Sequence, residues 1–228
     1  MARLTNLMSI GLPMVMIDPA LQSDRRGRRR QDTIEEVLDV AVEVMAEQGV
    51  AALSLAEVAR RMGIRPPSLY QYFESKLAVY DAVFERGTRQ LQDTIETAVA
   101  GHPDDPVAML RRGNAVVIRW CQANPVPTQL MFWRTVPGFE PSERAFEASV
   151  RQMRFLHDVL TAAVAAGQLD PTVTSEEASA LYTSLISGVI TQQLANQPDA
   201  PPGEGRFARL APTVLEMFLT RYAPKETT

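Results

Sequence analysis

The chain has 228 residues, 46% of them hydrophobic and 22% charged, with a formal net charge of −4. That is enough apolar material for a real core in one large or two modest domains, and the acidic balance excludes a uniformly basic, non-specific nucleic-acid binder. The single cysteine, Cys121, excludes an internal disulfide framework, and two distant histidines make a zinc site a poor expectation, so no metal or cofactor is expected. No apolar run reaches the length of about 18 residues that a membrane span needs, and a cytoplasmic protein is expected.

Residues 1–24 contain the apolar stretch "LMSIGLPMVMI" and are read as a disordered or loosely packed arm, with a signal peptide the poorer alternative. "RRGRRR" follows and gathers Arg25, Arg26, Arg28, Arg29 and Arg30. Acids outnumber bases beyond residue 87, so the positive potential is local. Alone, such a run reads as a solvated arm; beside a DNA-reading motif it becomes a phosphate clamp.

Asp32 and Glu35 have capping-box spacing ahead of an apolar stripe of Ile34, Val37, Leu38, Ala41, Val42 and Met45, and Gly49 suits the stop. Ser54 and Glu57 form a second box before Leu55, Val58, Ala59 and Met62, and Gly63 supplies a tight turn. Pro66 and Pro67 then suit the first turn of a third helix ending near Phe73, because N–H groups there have no intrahelical partner. Leu69 and Phe73 should face inward with Ile64, while Ser68, Gln71 and Tyr72 face outward and Tyr70 sits at the boundary. Such a helix is about 12 Å long, comparable to the width of the DNA major groove. Helix, glycine turn and short helix make a helix-turn-helix pattern.

"LSLAEVARRMGIRPPSLYQYFESKLAVYDAVFE" resembles the DNA-binding domain of TetR-type transcriptional repressors, over about residues 31 to 86. The resemblance implies that Ser54 meets a phosphate, and that Arg65, Pro66, Pro67 and Ser68 form the groove-facing start of the recognition helix. It implies backbone contacts for Tyr70 and Tyr72, with Gln71 between them, and a phosphate-binding role for Lys76. Ala56 stands where some members carry a guanine-reading arginine, which leaves Arg65 as the candidate for a bidentate guanine contact. For Arg60 and Arg61 a solvated face is the preferred reading of at least one, and for Tyr70 packing at the helix seam is an alternative to DNA contact.

Ser75 should cap a fourth helix running to about Ala100, with Gly87 inside it for close packing or as a hinge. A helix is expected over Pro106 to Asn124, a short aromatic one over "TQLMFWRTV", and a long one from Glu143 to Ala166 with Phe146, Val150, Met153, His157, Leu160 and Val164 as its stripe. Thr174 and Glu177 should cap the next, ending near Asn196. Pro212 should kink the last helix or mark its effective start. No segment alternates with period two, so the chain reads as all-α. The expected division is an arm at 1–24, a helix-turn-helix unit at 25–76, a connecting helix at 77–100, a larger helical ligand-binding and dimerisation domain at 101–222, and a tail at 223–228.

Two later helices are apolar on more than one side, which suggests a partner subunit. Leu181, Leu185, Gly188, Val214 and Phe218 are the candidates for a homodimer contact, in agreement with the four-helix bundle that the resemblance implies. Met109, Val116, Trp120, Phe132, Trp133, Met153 and Tyr182 form an aromatic and methionine-rich set that could line a pocket or only a core; His157 shares that ambiguity. The resemblance implies a small-molecule effector that shifts the fourth helix and releases a palindromic double-stranded operator. A dimeric DNA-binding protein controlled by a protein partner, without a ligand, is the rival reading. No G-x-S-x-G, Walker or H-E-x-x-H motif supports an enzyme.

Overall fold

The computed structural model describes residues 19–101 and 104–225, with side chains from residue 27 onward. All regular structure among these residues is helical: α1 (Pro19–Gln48), α2 (Leu55–Arg61), α3 (Pro66–Leu69), α4 (Lys76–Val99), α5 (Pro106–Ala123), α6 (Pro125–Phe132), α7 (Glu143–Ala165), α8 (Glu176–Asn196) and α9 (Ala211–Arg221). No helix among the described residues is long and apolar enough to cross a membrane.

The capping chemistry explains most boundaries. Ser54 Oγ accepts from Glu57 N at 3.4 Å, Ser75 Oγ from Ala78 N at 3.1 Å, and Ser142 Oγ from Ala145 N at 3.2 Å. Gly49, Gly63 and Gly167 have φ of 93, 68 and 68° at the turns that end α1, α2 and α7, where a Cβ would be strained. Pro212 marks the effective start of α9 within its first turn, after a 3-10 turn over Ala208–Leu210.

Several expectations need correction. Helix α1 begins at Pro19, so Asp32 lies well inside it and caps nothing, and residues 19–24 of the expected arm are helical. Residues 1–18 lie outside the described part. Regular α3 ends at Leu69; Tyr72 N and Phe73 N still bond to Leu69 O, at 2.9 and 3.1 Å, so the chain keeps turning to Phe73 without extending the helix. The short aromatic helix starts earlier, at Pro125. Ser175 caps α8, through a 3.2 Å bond from Ala178 N, because Thr174 is used in the preceding 3-10 turn.

The apolar stripe expected on α7 is largely the wrong face. Phe146, Val150 and Met153 are exposed and His157 is exposed with them, while Ala145, Ala148, Val159, Leu160 and Ala163 are buried. Small residues face the core along the first half of this helix, so the large apolar side chains gave the wrong phase.

Three apolar clusters fill the interior among the described residues. The first joins Val37, Met45, Val58 and Leu69 of α1–α3 to Val79, Tyr80, Val83 and Phe84 of α4, and continues into Val126, Leu130 and Ala145 of α6 and α7. The helix-turn-helix unit therefore shares a core with the later helices through α4. Gly87 makes this possible: a Cβ there would lie 2.7 Å from Pro127 Cβ, so close packing of α4 on α6 requires its absence. The second and third clusters join α4, α5 and α8, and α5, α7, α8 and α9. Buried Cys121 belongs to the second, and desolvation pushes its thiol up to about 12.

Candidate nucleic-acid interface and interior cavity

Helices α1 and α2 are tied by Arg61, which Glu57 holds from within α2. Glu57 accepts from Arg60 Nε and Nη2 at 2.8 and 2.7 Å and from Arg61 Nε at 2.8 Å, while Arg61 also reaches Glu47 with bonds of 2.8 and 2.5 Å. These donors, Arg60 first and Arg61 second, hold the Glu57 carboxyl down at about 2. Arg61 is thus a tie between α1 and α2, and Arg60 is exposed but paired.

The extended backbone of Arg65 (φ −76°, ψ 141°) turns the chain into Pro66 and Pro67. Leu69 and Phe73 are buried and Ile64 packs beside them, as the apolar spacing predicts. Arg65, Pro66, Pro67 and Gln71 are exposed, and Ser68 is half-buried. The two tyrosines exchange their expected places. Tyr70 projects at 54% exposure, whereas half-buried Tyr72 packs on the core. Arg30 holds Tyr72 from outside, with its guanidinium centre 5.2 Å from the ring centroid, and its Nη1 donates to Gln71 O at 3.2 Å. The arginine run therefore ends against the recognition turn. Arg28 and Arg29 are exposed one helical turn or less before that contact.

Lys76 Nζ donates to Ala51 O at 2.9 Å and lies 5.5 Å from the Tyr80 ring centroid. An ammonium carries three donors, so this bond positions the charge and leaves two N–H groups for an anion. Ser54 Oγ is used as the cap of α2, and as a hydroxyl it can still donate.

The later helices line an open cavity of about 580 Å³. Its walls include Phe84 and Ile95 of α4, Met109, Leu110 and Asn114 of α5, Phe132 and Trp133 at the end of α6, Met153 and Phe155 of α7, and Tyr182 and Ile186 of α8. Met109, Phe132, Trp133, Met153 and Tyr182 are thus brought together. Val116, Trp120 and His157 are not: Val116 and Trp120 pack in the second core cluster, and His157 faces outward. Sequence reasoning missed Asn114. Its signal was a lone amide among Leu110, Val117 and Cys121 on the apolar side of α5. Burial pushes the Tyr182 phenol up to about 12, so it remains a neutral hydroxyl at ordinary pH.

Helix α4 meets both regions. Arg86 Nη1 pairs with Asp39 at 2.7 Å and Glu35 at 3.3 Å on α1. On its other side Asp81 accepts from Ser142 N and Oγ, both at 2.7 Å, and Glu85 accepts from Arg144 Nη2 at 3.0 Å at the start of α7.

The profile described as "Bacterial regulatory proteins, tetR family" matches residues 37–83, and that of the "AefR-like transcriptional repressor, C-terminal domain" matches residues 137–224. The chain belongs to the tetR family of bacterial regulatory proteins. It is similar to the HTH-type transcriptional regulator SrpR of Pseudomonas putida, 27% identical over 173 residues, covering 73% of this chain and 78% of that protein. The HTH-type transcriptional activator FasR of Mycolicibacterium smegmatis is 36% identical over 84 residues, 36% of this chain and 38% of that protein. Among solved structures, putative regulatory protein SCO4313 superposes with a TM-score of 0.69 at 25% identity, covering 85% of this chain and 98% of that one. This tetR-family protein is accordingly a DNA-binding transcriptional regulator of a family that is not enzymatic.

Proposed function

We propose that this tetR-family protein is a repressor that binds a palindromic operator as a two-fold dimer and leaves it when a small, largely apolar molecule fills the cavity. The carrying observation is that Phe84 and Ile95 of α4 line the cavity while Val79, Tyr80 and Val83 of the same helix pack on the helix-turn-helix. A ligand that favours a different placement of α4 changes the spacing of two recognition helices, and so the fit to two half-sites. The AefR-like repressor profile over the C-terminal half supports the sign of the effect.

In this reading Arg65, Pro66, Pro67, Ser68 and Gln71 face the groove, with Tyr70 on the sugar-phosphate backbone. Ser54, Lys76, Arg28, Arg29 and Arg30 contact phosphates, Arg30 while bracing Tyr72. Arg65 is exposed and no carboxylate pairs with it among the ion pairs of the described residues, which suits a base-edge contact.

The dimer face requires one change from the sequence reading. Phe218 is 1% exposed and stacks edge-on with Tyr182, centroids 5.4 Å apart, so it is committed to its own core. The proposed face uses exposed Leu181 and Gly188 and half-buried Leu185 on α8, with half-buried Val214 and exposed Met217 on α9.

Operator selection from random DNA, followed by calorimetry of a candidate effector with and without operator, tests the proposal. A palindromic consensus is expected, and coupling of about 1–3 kcal/mol must appear in both directions. Equal effector affinities in the two titrations would rule out induction by that compound.

A further inference from the structure

Three buried side-chain polar atoms among the described residues lack a hydrogen-bond partner, and two of them, Asn114 Oδ1 and Thr135 Oγ1, belong to residues on the cavity wall. Asn114 is only 2% exposed, on α5 between Leu110 and Val117. Its amide is oriented by chemistry: Nδ2 donates to Ala211 O at 3.3 Å, and a main-chain oxygen can only accept. The unpartnered atom is therefore the oxygen, a pure acceptor in an apolar wall. A buried acceptor without a donor is costly, and a ligand that supplies the donor recovers that cost on binding.

The charges on the wall restrict the ligand further. Arg134 and Glu140 are the charged residues among those lining the cavity, both are exposed, and they lie 4.0 Å from each other. Along α5 the wall residues beside Asn114 are Leu110, Gly113 and Val117, which offer nothing to an ionised group. A carboxylate placed against Oδ1 would set its own lone pairs against those of the amide oxygen. Thr135 adds a hydroxyl that can accept or donate.

We infer that the effector is a neutral, largely apolar alcohol or phenol whose hydroxyl donates to Asn114 Oδ1. This rests on the cavity being the effector site, as proposed above. Selectivity follows from pairing: an analogue without the donor leaves Oδ1 unpaired, and a carboxylate analogue adds repulsion.

The test uses the full-length dimer and three probes of one shape: phenylphenol, biphenyl and biphenylcarboxylate, titrated by calorimetry at neutral pH. Phenylphenol should bind about tenfold tighter than biphenyl, equivalent to about 1.4 kcal/mol, and tighter still than the carboxylate. Asn114→Leu should abolish the preference while keeping or improving biphenyl binding. If that variant does not fold, the ranking on the wild-type protein decides alone. Equal binding of phenol and biphenyl, or tightest binding of the carboxylate, overturns the donor requirement. Binding of none of the three does so as well. Each titration is paired with an operator-release assay. Phenylphenol that binds with the stated preference but leaves DNA affinity unchanged supports the donor requirement and defeats the effector reading instead.

Discussion

Gly87 and Glu57 show how much a single position can carry. A methyl at residue 87 would collide with the Pro127 ring carbon 2.7 Å away, and a proline ring cannot rotate aside. Helix propensity favours Gly87→Ala by about 1 kcal/mol, whereas overpacking costs about 1–3 kcal/mol. The collision should win, and urea unfolding should show a net loss; a more stable variant would mean that α6 yields freely. Glu57 makes a pH prediction. Its carboxyl is depressed from 4.5 to about 2 by Arg60 and Arg61, so its contribution is complete above 4.5 and disappears as pH falls through 2. Arg60 and Arg61 should therefore lose their partner within α2 in that acid window, which removes the brace behind the Arg61 bridge to Glu47 on α1. Glu57→Gln should flatten the dependence of melting temperature on pH there, and an unchanged slope would assign the acid sensitivity to other carboxylates. Glu57 and Arg61 are half-buried and Arg60 is exposed, so salt still reaches the cluster and the slope should also shrink at high ionic strength.

At the scale of helices, α3 is the most exposed to a single loss. It has four residues, and only Leu69 among them is buried. Leu69→Ala should lower stability by about 2–5 kcal/mol, measured by denaturant unfolding, and should weaken DNA binding beyond that loss because the turn behind it loses its seat. A cost under about 1 kcal/mol would show that Phe73 and Ile64 hold the turn unaided. This helix was legible from its residues: two prolines fixed its start, and Leu69 and Phe73 fixed its inner face. Its end was not, because a mixture of i−3 and i−4 bonds carries the chain on to Phe73. The start of α1 was also hidden, since Asp32 and Glu35 have cap spacing at a place where the helix is already formed. In the first half of α7, large apolar residues marked the open face and alanines the packed one, which reverses the usual guide. The cavity set was legible by residue type, but Val116, Trp120 and His157 show that type does not give direction along a helix.

For the whole molecule, α8 and α9 each satisfy the monomer core on one side and keep apolar residues outside. Met217 is 63% exposed, and Leu210, seven residues earlier, is exposed too. In the proposed dimer that row is covered, so Met217→Glu should shift sedimentation toward the monomer at micromolar concentration while melting of the protomer changes little. A dimer of unchanged affinity would move the interface elsewhere. The silent thiol of Cys121 has a practical consequence of another kind. At pH 7 it is almost entirely protonated and sealed from solvent, so the native chain carries no competing nucleophilic sulfur. A cysteine introduced at exposed Gln71 should then take a spin label selectively, one per chain and so two in the proposed dimer. In that dimer the distance between the two labels would report how far apart the proposed reading heads sit, with and without phenylphenol.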